Sequence, residues 1–266
     1  MYSIILPFKY AGDRWPLFEA VVENLYELIK DNLNFELCIH ESSSERFLSD
    51  EWLDRFKIRY LYSKWDETFH RSWNLNVAAR YLASGDTFIF FDGDIIVGPD
   101  FIKEVQNSNA LTCWGWNTIH YLTKEATEKY IKTKEIINDF KYSRTPELWN
   151  CTGGINIIKR KVFFDTAGWP EEFRGVYGGP DNLFTMKLIK LNLMNNPLNV
   201  IAYHLNHEHK TQPEFESIEH IQQKEKRMEI LNYFNNFSIS NWNKYIFNTQ
   251  GFGDISLAPK IEFRGI

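Results

Sequence analysis

The sequence runs to 266 residues with 44% hydrophobic content and a formal charge of −5, enough apolar material for one large core or a core with a small appendage. The negative balance, without any long Lys/Arg block, excludes the extended basic field that nucleic acid requires. A small anionic substrate is compatible with it, because a bound cation can supply local positive charge. The three cysteines, Cys38, Cys113 and Cys151, suggest neither a disulfide framework nor a zinc knuckle, so a reducing, cytoplasmic setting is expected. MYSIILPF shows no basic leader, and no apolar window approaches the roughly 18 residues of a membrane span. Peripheral contact with the inner face of a membrane stays open.

In chain order, SIILPF (3–8) reads as a short buried strand stopped by Pro7. WPLFEAVVENLYELIK (15–30) repeats apolar residues at helical spacing, with Pro16 suited to a helix start. FELCIH (35–40) is a second strand, a helix is expected near 47–56, and KIRYLYS (57–63) alternates like a third strand. A helix over 67–83 stops at Ser84-Gly85, and DTFIFFD (86–92) forms the next strand. The succession of strands and helices predicts an α/β fold, a mostly parallel Rossmann-like sheet flanked by helices. Beyond residue 100 the pattern loosens. PDFIKEVQ starts a short helix, ALTCWGW reads as a strand, and the charged stretch 123–141 as helical or mobile. CTGGINIIKRKVFFDTAGW gives a strand and a short helix, and DNLFTMKLIKLN (181–192) an amphipathic helix. NVIAYHLNHEH (199–209) is a strand running into a histidine-rich loop. A polar helix near 213–234 leads to the aromatic NWNKYIF.

Asp92-Gly93-Asp94 follows the apolar FIFF at the end of a mid-sheet strand. Open parallel sheets seat their ligands beyond such ends. Two carboxylates one residue apart supply hard oxygen ligands for Mg²⁺ or Mn²⁺, and the glycine permits a turn that brings both towards one ligand. The plainer reading is a charged turn. His204, His207 and His209 follow NVIAY, and an imidazole is a reasonable further ligand, His204 first because it ends the strand. In GVYGGPDNLF, Asp181 stands at a helix start, where an N-cap and a general base are both compatible. HRSWNLNVAAR places Arg71, Asn74 and Arg80 on a helix. The plain expectation there is a solvated face with Trp73 and Val77 inward, and the functional one an Arg71 reaching phosphate or base.

Taken together, SIILPFK, HRSWNLNVAAR, FIFFDGDIIVGPDF and CTGGINIIKRKVFFDTAGWPEEFRGVYGGPDNLF resemble a nucleotide-sugar glycosyltransferase of the GT-A fold. The resemblance is to the galactosyltransferase and chondroitin-polymerase branch of the family 2-like enzymes, and it spans about residues 1–210. It implies a metal-dependent, inverting transfer of a hexose or N-acetylhexosamine from a UDP-sugar to a hydroxyl of a glycan or glycoconjugate. By position, Pro7, Phe8, Arg71 and Asp92 would contact the donor, and Gly153-Gly154 would lie beside its sugar. Asp94 would ligate Mn²⁺ or Mg²⁺, with Asp92 near the ion and His204 or His207 completing the set. Tyr177 would line the acceptor and Asp181 would deprotonate it. Pro180 stands where the branch usually has Glu, which bears on galactose transfer in particular.

The implied division is a donor-binding half (about 1–100), an acceptor half (about 101–210) and a C-terminal helical and aromatic extension (211–266). The rival readings are a retaining transferase on the same fold, a nucleotidyltransferase making sugar nucleotides, and a non-catalytic sugar-binding protein. SIILPFKYAGDRW lacks the glycine run that the second would want.

Overall fold

The structure, a computed structural model, describes residues 1–147, 153–172, 179–207, 225, 228, 248 and 251–265. In chain order it begins with β1 (Tyr2–Phe8), α1 (Trp15–Ile29), β2 (Phe35–Ser43), α2 (Asp50–Arg55), β3 (Arg59–Lys64) and α3 (Arg71–Tyr81). There follow β4 (Thr87–Phe91), β5 (Ile95–Val97), α4 (Asp100–Asn107), β6 (Thr112–Trp114), β7 (Thr118–Leu122) and α5 (Lys124–Thr133). Then come β8 (Phe140–Arg144), β9 (Ile155–Lys159), α6 (Arg160–Asp165), α7 (Gly179–Lys190), β10 (Ile201–His204) and β11 (Ile261–Arg264).

Seven strands form the main sheet in the order β11-β3-β2-β1-β4-β9-β6. The expected parallel sheet is its centre, where β3, β2, β1 and β4 run parallel. Outside it, β9, β6 and β11 join antiparallel, so the sheet as a whole is mixed. The central strands are buried on both faces, as near-continuous apolar runs require. Ile4, Leu6, Ile89 and Phe91 face the side packed by α1, through Leu17, Val21, Val22 and Leu25. Ile5, Phe88 and Phe90 face the other side, with Trp73 and Val77 of α3 and Phe184 of α7. That is the period-two alternation of a strand used on two faces at once.

A smaller sheet has the order β5-β10-β7-β8. Asp92-Gly93-Asp94 therefore sits where the chain leaves the main sheet after β4 and enters the second at β5. Gly93 fits that passage because a Cβ there would meet the Phe18 ring at 2.8 Å.

The charged stretch 123–141, expected as helical or mobile, is helical over α5 and reaches the start of β8. α3 has no solvated face over residues 72–79, all of which are buried. β5, β7, β8 and β11 were not anticipated. Of the polar helix expected near 213–234, Glu225 and Met228 are described, and both are helical. The rest of it, the NWNKYIF segment, Tyr177, His209 and Cys151 lie outside the described residues. Cys38 and Cys113 are free and buried. Among the described residues no helix is long and apolar enough to cross a membrane.

Candidate active site

The site forms at the carboxyl ends of β1 and β4 and the amino end of the antiparallel β9, where α3 and α7 begin. α3 opens beneath His70, whose Nδ1 accepts from the Trp73 N–H at 3.4 Å while Nε2 donates to the Glu171 carbonyl at 3.0 Å. These two bonds aim the first turn of α3, and with it Arg71, into the site. The Arg71 guanidinium donates to one oxygen of Asp92 through Nε (3.1 Å) and Nη2 (2.6 Å). Its Nη1 donates to Asp181, in the first turn of α7, at 2.8 Å. The same guanidinium lies over the Trp169 ring, 4.9 Å from its centroid, a cation–π contact that strengthens when desolvated.

The second oxygen of Asp92 accepts the Gly154 N–H at 2.9 Å, and the Asp92 N–H donates to the Gly154 carbonyl at 2.9 Å. Gly154 has φ +94°, and a Cβ there would meet Ile95 at 2.9 Å; only glycine suits both constraints. A Cβ on Gly153 would project to within 3.4 Å of Asp181 and 3.6 Å of Asp92. Its hydrogen leaves open the gap between the two carboxylates.

Asp94 faces the other way. Its carboxylate lies 3.1 Å from His207 Nε2 and 3.8 Å from His204 Nε2. The three ligand atoms stand within 4.8 Å of one another. An ion with bonds of about 2.1 Å spaces its ligands roughly 3 to 4 Å apart, so a small adjustment would seat one. One carboxylate and two imidazoles form a borderline donor set, which suits Mn²⁺ better than Mg²⁺. His204 Nδ1 is 2.9 Å from the Leu205 carbonyl, which leaves Nε2 for the ion. His207 Nδ1 lies 3.2 Å from Arg14 Nη2.

Burial pushes the Asp92 carboxyl above its ordinary value; Arg71 works against that rise, and the Asp181 and Asp94 charges add to it. For Asp94 burial acts in the same direction, but His204 and His207 outweigh it and hold the carboxyl below the usual carboxylate range. Burial opposes the Arg71 charge, and Asp181 and Asp92 together overcome it and raise its pKa. The two aspartates one residue apart thus stand in unlike surroundings, one against a guanidinium and the other against imidazoles.

Asp92, Asp181, Arg71, Gly153 and Gly154 are brought together in this way, and Asp94, His204 and His207 form the adjoining group. Pro7 and Phe8 lie at the carboxyl end of β1 with buried side chains, and the Phe8 ring packs 4.4 Å from Phe18. A ligand would meet their backbone rather than their rings. Asn74 is core, donating to Ser42 at 2.8 Å, and Arg80 bonds the Phe252 carbonyl at 2.7 Å, away from the site. Sequence reasoning missed Trp169 and Arg14. Trp169 left only the signal of a tryptophan inside a glycine-bearing segment, and Arg14 left none.

The sequence matches the family described as Glycosyl transferase family 2 over residues 3–164, and the chain belongs to that family. Its fold is similar to that of S. aureus TarS 1–349 solved with UDP-GlcNAc, at 14% identity over 91% of this chain and 69% of that one, TM-score 0.59. It is likewise similar to GalNAc-T7 solved with UDP, GalNAc and Mn²⁺, at 12% identity over 94% and 54%, TM-score 0.64. A third likeness is to the mannosyltransferase PcManGT from Pyrobaculum calidifontis with GDP-Man and Mn²⁺, at 16% identity over 79% and 58%, TM-score 0.51. No curated protein sequence matches it. The chain is a glycosyltransferase of the GT-A fold, which transfers a sugar from a nucleotide-sugar donor.

Proposed function

We propose that the enzyme is metal-dependent and inverting, and that it moves a hexose or N-acetylhexosamine from a UDP-sugar to a hydroxyl of a glycan or glycoconjugate. The observation that carries this reading is the division of the carboxylates. Asp94 stands with His204 and His207, while Asp181 stands apart, joined to Asp92 only through Arg71. UDP accompanies TarS and GalNAc-T7 in their structures, which favours uridine. GDP-Man in the mannosyltransferase makes guanosine the competing donor.

Asp94, His204 and His207 would hold Mn²⁺ or Mg²⁺, with Asp92 beside the ion. The ion would supply positive charge against the departing nucleoside diphosphate. Asp92 and the backbone at Pro7 and Phe8 orient the donor, and the opening at Gly153-Gly154 admits its sugar. Arg71 holds Asp92 and Asp181 a fixed distance apart. Asp181 accepts the proton of the acceptor hydroxyl as that oxygen attacks the anomeric carbon from the face opposite the leaving phosphate. The free, buried thiols of Cys38 and Cys113 suit a cytoplasmic setting.

The test is a panel of UDP-, GDP-, CMP- and dTDP-sugars with Mn²⁺, read first as nucleotide binding and hydrolysis and then as transfer to glycan acceptors. One UDP-sugar is expected to turn over. Asp94→Ala should lose metal-dependent UDP binding at least tenfold. Asp181→Asn should keep that binding and lower transfer by about 10²- to 10⁴-fold. Proton NMR of the product should show the inverted anomer. A retained anomer would overturn the mechanism, and absence of any metal-dependent nucleotide binding would overturn the reading as a whole.

A further inference from the structure

The second sheet carries a row of rings that the donor site does not use. In register, His204 of β10 pairs with Tyr121 of β7, and Tyr121 pairs with Tyr142 of β8. Tyr121 stacks on His204 at 4.7 Å and 23°, and on Tyr142 at 4.5 Å and 20°. The row starts at a candidate metal ligand and ends at Tyr142, which is 44% exposed. With strands spaced about 4.8 Å apart, two steps carry it roughly 10 Å from His204. Tyr121, Lys141, Tyr142, His204, Asn206 and His207 line a cavity of about 140 Å³ along it.

β7, β8 and β10 contain no Asp or Glu, and β8 contributes Lys141 and Arg144; Glu147 shares a neighbouring cavity with Arg144. The Arg144 guanidinium lies over both tyrosines, 5.5 Å from the Tyr121 centroid and 5.3 Å from that of Tyr142. Cross-strand stacking alone accounts for rings that are covered. It does not account for an exposed ring that lies under Arg144 and, with Lys141, lines a cavity shared with the histidines. Flat rings take the apolar faces of sugars, and lysine and arginine take carboxylate or phosphate.

Arg14, which follows β1 with its Pro7 and Phe8, meets His207, whereas the ring row runs from His204 onto β7 and β8. We infer that the Tyr142–Tyr121 row with Lys141 and Arg144 is an acceptor subsite, and that the acceptor it takes is a saccharide bearing a carboxylate or a phosphate. This rests on the transferase reading above and names its second substrate by chemical class.

The experiment is saturation-transfer NMR and titration with methyl β-D-glucoside, methyl β-D-glucuronide and glucose 6-phosphate. It is run on wild type, Tyr142→Ala and the double variant Lys141→Ala/Arg144→Ala, with Mn²⁺–UDP binding measured on the same samples. At least one anionic probe should bind tenfold or more tighter than the neutral glucoside. The glucuronide and phosphate arms report which anion is preferred. Tyr142→Ala should weaken all bound probes, and the double variant should erase the preference for the anion. Equal binding of all three, an anionic preference that survives the double variant, or no probe binding to a chain that does bind Mn²⁺–UDP would each overturn the inference. A chain that selects the anionic probes but binds no Mn²⁺–UDP would keep the subsite and lose the catalytic reading.

Discussion

Lys187 in α7 is almost wholly buried, and its ammonium donates to the carbonyls of Thr166 and Gly168 at 2.6 Å each. Burial lowers its pKa to about 7, against roughly 10.4 for an exposed lysine. From pH 7 towards 10 the unfolded chain therefore keeps a proton that the folded chain releases, so stability rises with pH by at most about 1.4 kcal/mol per unit. Urea midpoints of wild type should climb between pH 7 and 9, and Lys187→Met should lack that slope. The carbonyls that Lys187 holds belong to the turn that presents Trp169 to Arg71. Nothing in the chain pattern announced such a lysine, which reads as the solvated edge of an amphipathic helix. Asp92, Asp94, His204 and Asp181 could be picked out as candidates for the opposite reason: each stands at or beside the end of an element. The contacts they make were not legible. Arg14 and His207 meet across 193 residues, and local pattern has no access to that separation.

Among elements, α1 was readable because one face is apolar and the other is not. α3 was misread because it is buried all round, with its polar side chains bonded inside the core. Asn76 donates to the Trp169 carbonyl at 2.8 Å and to Glu171 at 2.7 Å, and its oxygen accepts the Trp169 N–H at 2.8 Å. Asn76→Ala would leave these partners buried without it, at a cost of about 2 to 4 kcal/mol. Equilibrium urea unfolding should record that loss. Because the same bonds fix Trp169 beneath Arg71, the variant's transfer rate should fall even where it remains folded. An unchanged rate at full folding would mean that α3 holds the turn without tuning the site.

At the scale of the whole molecule, β11 runs antiparallel to β3 and covers what would otherwise be an open edge. Four residues, IEFR, carry that pairing, too few and too mixed for alternation to be read. β7 and β5 escaped notice for the same reason, and with them the second sheet. Deleting residues 260–266 should lower the thermal midpoint by several degrees and raise self-association in light scattering, since the β3 edge then presents unpaired N–H and C=O groups. A deletion that neither melts earlier nor associates would show that β11 contributes little to the sheet.

The bond between Gly154 and Asp92 spans 62 residues, and that between Arg71 and Asp181 spans 110. Bringing such distant segments together is entropically costly and slow compared with forming a helix or a hairpin. The donor site is therefore complete only once β9 and α7 have docked: a chain that has made β1 to β4 pairs Asp92 with Arg71 but lacks Gly154 and Asp181. Affinity for the nucleotide then belongs to the finished molecule alone. Binding draws the folding equilibrium towards completion by mass action, so substrate supply and protein lifetime become linked quantities.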